Sequence, residues 1–237
     1  MRCLALRGSR LLSAMACVGL CGFWVGLFLA SQRYPSEYDW RYMTISSLLY
    51  PDRDPRGYLW AWCGLIACAL GGLCWVSVLV RGREWQSKKM RPGICALALG
   101  FVCMVSCAVW PGRLLHFPRG HDLLALLAFV GICVGTVHLS YERMELSLRR
   151  SLVRSRAAAK ICAALLAAAA LLPVFLEAIT QADVARAFPH LPWVGLEWRA
   201  RGVPMYLSFA FWEWIACAVL STYLAALSIT TAQDHNN

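Results

Sequence analysis

Charge is what this chain has least of. Asp, Glu, Lys and Arg make up 15% of its 237 residues while hydrophobic residues make up 59%, and soluble proteins carry about 25% charged residues. That scarcity excludes an ordinary water-facing surface. Six runs contain no Lys or Arg at all, at about residues 11–30, 57–80, 92–110, 121–141, 161–180 and 204–227. Each is long enough to cross a hydrocarbon core of about 30 Å, which takes about 20 helical residues, and a cation at mid-membrane is costly. The expected fold is therefore all-α, a polytopic membrane bundle of six transmembrane helices forming a single domain over residues 1–237.

Other absences narrow the function. There is no nucleic-acid module to accompany the net charge of +10, so nucleic acid is not an expected partner. No HExxH or comparable zinc spacing occurs, and neither Ser46 nor Ser47 sits in a nucleophile motif. His121 and His138 are 17 residues apart, about 25 Å along a helix, too far to share a haem. No metal or cofactor is expected. The chain has no internal repeat and no soluble domain.

The basic residues that do occur fix an orientation. The N-terminal tail and the second and fourth connections hold 14 of the 23, and the longer first, third and fifth connections hold nine. Both termini are expected on the cytoplasmic side, in a plasma (inner) membrane whose anionic lipid the basic face attracts. The first run follows a basic tail like a signal peptide, but at about 20 residues it exceeds the usual h-region of roughly 7–15, so it is expected to stay as a span. Given this topology, none of the 12 cysteines lies in an outer loop. That excludes a secreted type of disulfide framework, and the cysteines within the runs serve as small packing residues.

The stretch from Tyr38 to Gly57, YDWRYMTISSLLYPDRDPRG, is too aromatic for a linker. Its first part suits a short interfacial helix, and Pro51 to Gly57 reads as a charged, helix-breaking turn. A second aromatic loop, FPHLPWVGLEW, is expected to form a similar interfacial helix before the last run. Three carboxylates fall inside the runs: Asp122, Glu177 and Glu213. An intramembrane ionisable group marks a site by default, and all three lie toward the outer half. Glu213, nine residues past Pro204, should be roughly 13 Å deep. The expected site is a cavity open to the outer leaflet, with Glu213 at its floor, Glu177, Asp122 and His121 on its walls and Tyr38–Gly57 as its lid. Candidate ligand-binding residues are Asp39, Arg41, Ser46, Asp52, Arg53, Arg56, Glu177 and Glu213. His121, Asp122 and Glu213 are the catalytic candidates if the protein is an enzyme.

The order Thr44-Ile45-Ser46-Ser47-Leu48, then Pro55 and Gly57, then Phe117-Pro118 and His121 ahead of Ala125 and Phe129, then Glu213 in the last run, resembles the six-helix Frag/DRAM-type membrane proteins and their bacterial branch. Where many relatives have Gly soon after the Ile-Ser pair, this chain has Leu49 and Tyr50. The resemblance spans nearly the whole chain and implies lipid handling, without supplying a catalytic residue. The function expected is binding or processing of a lipid or lipid-linked headgroup, with membrane lipids as partners and a membrane protein as a further one. The alternatives are an intramembrane hydrolase or acyltransferase using His121, and a small proton-coupled transporter.

Overall fold

A computed structural model of the protein describes residues 2–109, 120–148 and 199–234. Among the described residues the chain is helical, without strands. Its elements are α1 (Arg2–Ser31), α2 (Tyr58–Arg81), the single turn α3 (Arg83–Gln86), α4 (Arg91–Val109), α5 (Gly120–Leu148) and α6 (Phe209–Asp234), with 3-10 turns at Ile45–Leu48 and Met205–Leu207. Five of these helices are long and apolar enough to cross a membrane, close to where the cation-free runs place them. Their outward faces carry large apolar side chains such as Val18, Val25, Leu70, Leu99, Val134 and Ile229, a pattern suited to lipid as solvent. The expected fifth span, residues 161–180, lies outside the described residues.

Between apolar helices in lipid, association rests on close van der Waals approach, and small residues permit it. The α1–α2 seam is built this way, with Gly19 and Gly22 of α1 against Ala67, Gly26 against Gly64, and Gly71 of α2 against the backbone of Met15 and Ala16. A Cβ on Gly26 would sit 2.5 Å from the Trp60 carbonyl oxygen, and one on Gly64 would sit 2.9 Å from that of Gly22. The α4–α5 seam repeats the device, since a Cβ on Gly131 would lie 2.9 Å from the Ala96 carbonyl oxygen. Between α2 and α4, the buried Phe101 ring covers Gly72. α6 lies along α1, and among the described residues it touches α5 at only a few positions. The described helices thus form a ring running α6, α1, α2, α4, α5.

At the end of the ring that carries α3, α5 holds the connection between α2 and α4. Arg143 donates to Glu84 at 2.9 Å, and the His138 Nε2 lies 2.7 Å from the Lys89 carbonyl. His138 is thus held by a backbone partner.

Two expectations for the opposite end are corrected. The segment Tyr38–Tyr50 does not form a helix lying on the interface; apart from the Ile45–Leu48 turn it is irregular, and Met43, Ile45, Leu48 and Leu49 are buried in the bundle. Nor do Pro55 and Gly57 merely break a helix. Asp54 accepts the Gly57 N–H at 2.9 Å through Oδ1, and its carbonyl accepts the Tyr58 N–H at 3.0 Å. Pro55 fills the position where a missing N–H costs nothing. This is a capped entry into α2, and the Asp54 carboxyl lies where a Gly57 side chain would be.

Gly64→Val should disrupt the α1–α2 seam at a cost of about 1–3 kcal/mol or more, read as a lowered melting temperature in detergent, whereas Leu70→Val on the exposed face of α2 should leave it nearly unchanged. Burial raises the Asp54 carboxyl above its usual range, against the lowering effect of the Gly57 N–H. The folded state therefore holds this proton more tightly than the unfolded chain, and the linked stability falls as pH rises from about 4 through the raised folded value. Asp54→Asn keeps the acceptor and should flatten that part of the profile. Asp54→Ala loses the cap and should cost about 1 kcal/mol; thermal melts from about pH 4 to about pH 7 check both.

Candidate functional site

The irregular segment Tyr38–Tyr50 brings backbone polar groups into an apolar bundle, where each needs a partner. Side chains from the surrounding elements supply them. The Trp214 indole N–H donates to the Met43 carbonyl at 3.1 Å, and the Tyr38 hydroxyl lies 3.0 Å from that oxygen and 2.9 Å from the Thr44 carbonyl. Trp62 donates its indole N–H to the Leu49 carbonyl at 2.8 Å. Tyr42 donates to the Val203 carbonyl at 2.7 Å, which ties the segment to the chain entering α6. Burial first, and then the negative charge of Glu213, push the Tyr38 hydroxyl well above the usual tyrosine range, so it keeps its proton as a donor.

Glu213 makes the decisive contact. Its Oε2 accepts the Ile45 backbone N–H at 3.0 Å, at the start of the 3-10 turn, where an amide has no partner within the turn. Three hydroxyls cluster beside it, with Thr44 Oγ1 2.8 Å from Ser46 Oγ and 3.0 Å from Ser47 Oγ. Trp24, Trp214, Tyr38 and Tyr34 pack ring against ring around this junction, with successive centroids 5.8, 6.3 and 5.4 Å apart.

Below the segment the described helices line a partly open cavity of about 670 Å³, within the roughly 300–1,000 Å³ typical of ligand sites. Its roof carries Thr44, Ser46, Tyr50, Arg53 and Glu213. Its walls are apolar, formed by residues such as Leu20, Leu65, Phe101, Phe129 and Leu220, with Ser221 lower down. From Glu213 to Leu224 along α6 the lining extends about 16 Å, close to half a hydrocarbon core. Arg53 is exposed at the roof, its guanidinium 5.5 Å from the centroid of the Tyr50 ring.

Of the residues singled out from sequence, Ser46, Arg53 and Glu213 meet at this cavity. Asp39 and Arg41 do not line it: they form a two-pronged ion pair at 2.8 Å, and Arg199 lies 3.3 Å from the same carboxylate. The Arg41 hydrogen bond holds Asp39 below its usual range, so this pair stays ionised and, with Arg199, ties the segment to the chain ahead of α6. Asp52 and Arg56 are exposed and away from the cavity lining. His121 and Asp122 fall in the first turn of α5, with their side chains outside the described residues, as is Glu177.

Glu213 itself is displaced from its expected depth. Pro204 opens the Met205–Leu207 turn, Ser208 is extended, and α6 begins only at Phe209. Glu213 therefore lies about 6 Å into the helix and belongs to the roof, not the floor. Thr44 and Tyr50 went unremarked as site residues, although the hydroxyl spacing of Thr44-Ile45-Ser46-Ser47 was a readable signal. Among the described residues no group of three or more His, Cys, Asp or Glu is placed to hold a metal ion.

No family model, curated protein or solved structure matches the chain.

Glu213→Ala should leave the Ile45 N–H unpaired, a loss of about 1–3 kcal/mol that lowers amide-exchange protection at Ile45 roughly tenfold or more, whereas Glu213→Gln, which retains an acceptor oxygen, should preserve most of it. Hydrogen-exchange mass spectrometry of the two variants makes the comparison.

Proposed function

We propose that this is an integral protein of the plasma membrane with six spans and both termini cytoplasmic, and that its cavity holds one lipid or lipid-linked amphiphile from the outer leaflet. The observation that carries the reading is the division of the cavity into a polar roof and apolar walls, the division an amphiphile has within one molecule. The sixth span is the cation-free run at 161–180. The orientation rests on the excess of Lys and Arg in the second and fourth connections. In that orientation the roof segment faces outward, and the basic connections meet anionic lipid on the inner side. The Frag/DRAM-type resemblance points toward the same kind of ligand.

The reading is tested by filling the cavity. Ala216 is buried on its wall, so Ala216→Trp should reduce the lipid retained by the purified protein to less than about half, while the exposed substitution Val219→Trp on the same helix leaves it unchanged; a side chain of this size occupies much of a pocket in the drug-sized range. Lipid is quantified by mass spectrometry after solvent extraction. Equal lipid in wild type and Ala216→Trp, with both folded, would sink the proposal.

A further inference from the structure

The cavity has a floor, and its level can be read from where the lining stops on each described helix. Moving away from the roof, the last lining residue is Leu20 on α1, Cys68 on α2, Phe101 on α4, Ile132 on α5 and Leu224 on α6. Beyond them the helices are packed against one another. Trp75, Leu79, Ile94, Leu97, Thr136 and Leu139 are each no more than 1% exposed, and none of them lines the cavity. The described helices thus close the deep end with a layer packed like a protein interior, about 16 Å below Glu213 along α6.

Phe101 holds this level between α2 and α4. Its ring is 2% exposed and lies over Gly72, where a Cβ would overlap it. Gly72 is about one helical turn deeper than Cys68, the last lining residue of α2. The missing side chain lets the ring rest on the α2 backbone. A side chain there would push the ring off its seat, and the room beside it is the cavity it lines.

Resting on the lipid-binding reading above, we infer that the cavity selects its ligand by tail length: it takes acyl tails up to the depth of one leaflet and rejects polyprenyl lipids, whose tails exceed it, and Phe101 seated on Gly72 sets the limit. The walls gain nothing from the hydrophobic effect, because the surrounding lipid is equally apolar. Selection comes from fit. A tail that stops short of the floor leaves lining atoms without contacts. One that is too long meets a packed layer that admits extra methylenes only with strain. Affinity therefore peaks where the tail just fills the depth, whichever headgroup meets the roof.

The test uses the full-length protein, stripped of lipid in detergent and titrated by native mass spectrometry with phosphatidylethanolamines and phosphatidylglycerols. Their saturated tails extend from about 10 Å to about 25 Å, on either side of the roughly 15 Å half-thickness of a hydrocarbon core. In both series affinity should peak near the depth of the cavity and fall roughly tenfold or more at the longest tails, a factor within the range of overpacking costs. Phe101→Leu should move the peak to longer tails and Gly72→Ala to shorter ones. Phe129→Leu, the same exchange higher on the wall, should change affinity without moving the peak. Should Gly72→Ala fail to fold, the two Phe→Leu variants decide. Polyprenyl phosphate at equal concentration should displace less than about a tenth of the peak-length lipid, and displacement of half or more would overturn the inference. A flat response to tail length in both series, or a peak that Phe101→Leu leaves in place, with Ala216→Trp blocking binding, would overturn it and leave the lipid-binding reading standing. Failure of every lipid in both series to bind wild type would overturn both.

Discussion

Backbone cannot enter an apolar bundle unpaired, and the site depends on how this constraint is met. A helix satisfies its own amides and carbonyls, but the segment from Tyr38 to Tyr50 is irregular over most of its length and still buried. Its carbonyls at Met43, Thr44 and Leu49 take hydrogen bonds from Trp214, Tyr38 and Trp62, and its Ile45 amide is taken by Glu213. Tyr and Trp suit the task because each couples a large apolar ring to a single polar atom. The same rings pack the junction between α1, the roof and α6. The aromatic richness that made the stretch conspicuous is thus the means by which an irregular roof is tolerated.

The cavity beneath follows from unequal helix seams. α1 and α2 meet backbone to backbone through glycines, as do α4 and α5, and neither seam leaves room between its helices. α6 meets α1 through side chains, the Trp24 and Trp214 rings at one end and Cys17 against Ser228 further along. It diverges from α5 among the described residues. Space opens where the seam is made of side chains rather than glycine. The carboxylate of Glu213 stands at the top of that space because α6 begins four residues before it.

Much of this was legible in the sequence, for physical reasons that also mark where legibility ended. The spans were readable because a cation at mid-membrane is costly, and the five described ones begin and end near the edges of the cation-free runs. That Glu213 and the Thr44–Ser47 stretch share one site was readable from depth, since both lie at the same end of the bundle. The depth of Glu213 was misjudged because hydropathy does not register where a helix starts: Pro204 to Ser208 is apolar enough to pass for helix, but its backbone is a 3-10 turn followed by an extended residue. Arg41 was offered to a ligand when Asp39, two residues away, already held it; short-range pairing competes with any ligand, and charge pattern alone does not reveal the winner. Asp54 was the most readable omission. Asp-Pro-Arg-Gly ahead of an apolar run is a helix-start signature, passed over because Pro and Gly were weighed only as breakers.

The two kinds of seam also make the bundle uneven. Glycine-packed helices leave no side chain between their backbones, as α1 with α2 and α4 with α5 show. Among the described residues α6 has no such seam, and Glu213 and Trp214 fasten it to the roof. Among the described residues, α6 and the roof are thus held to one another by polar side-chain contacts and to α1 by tryptophan rings.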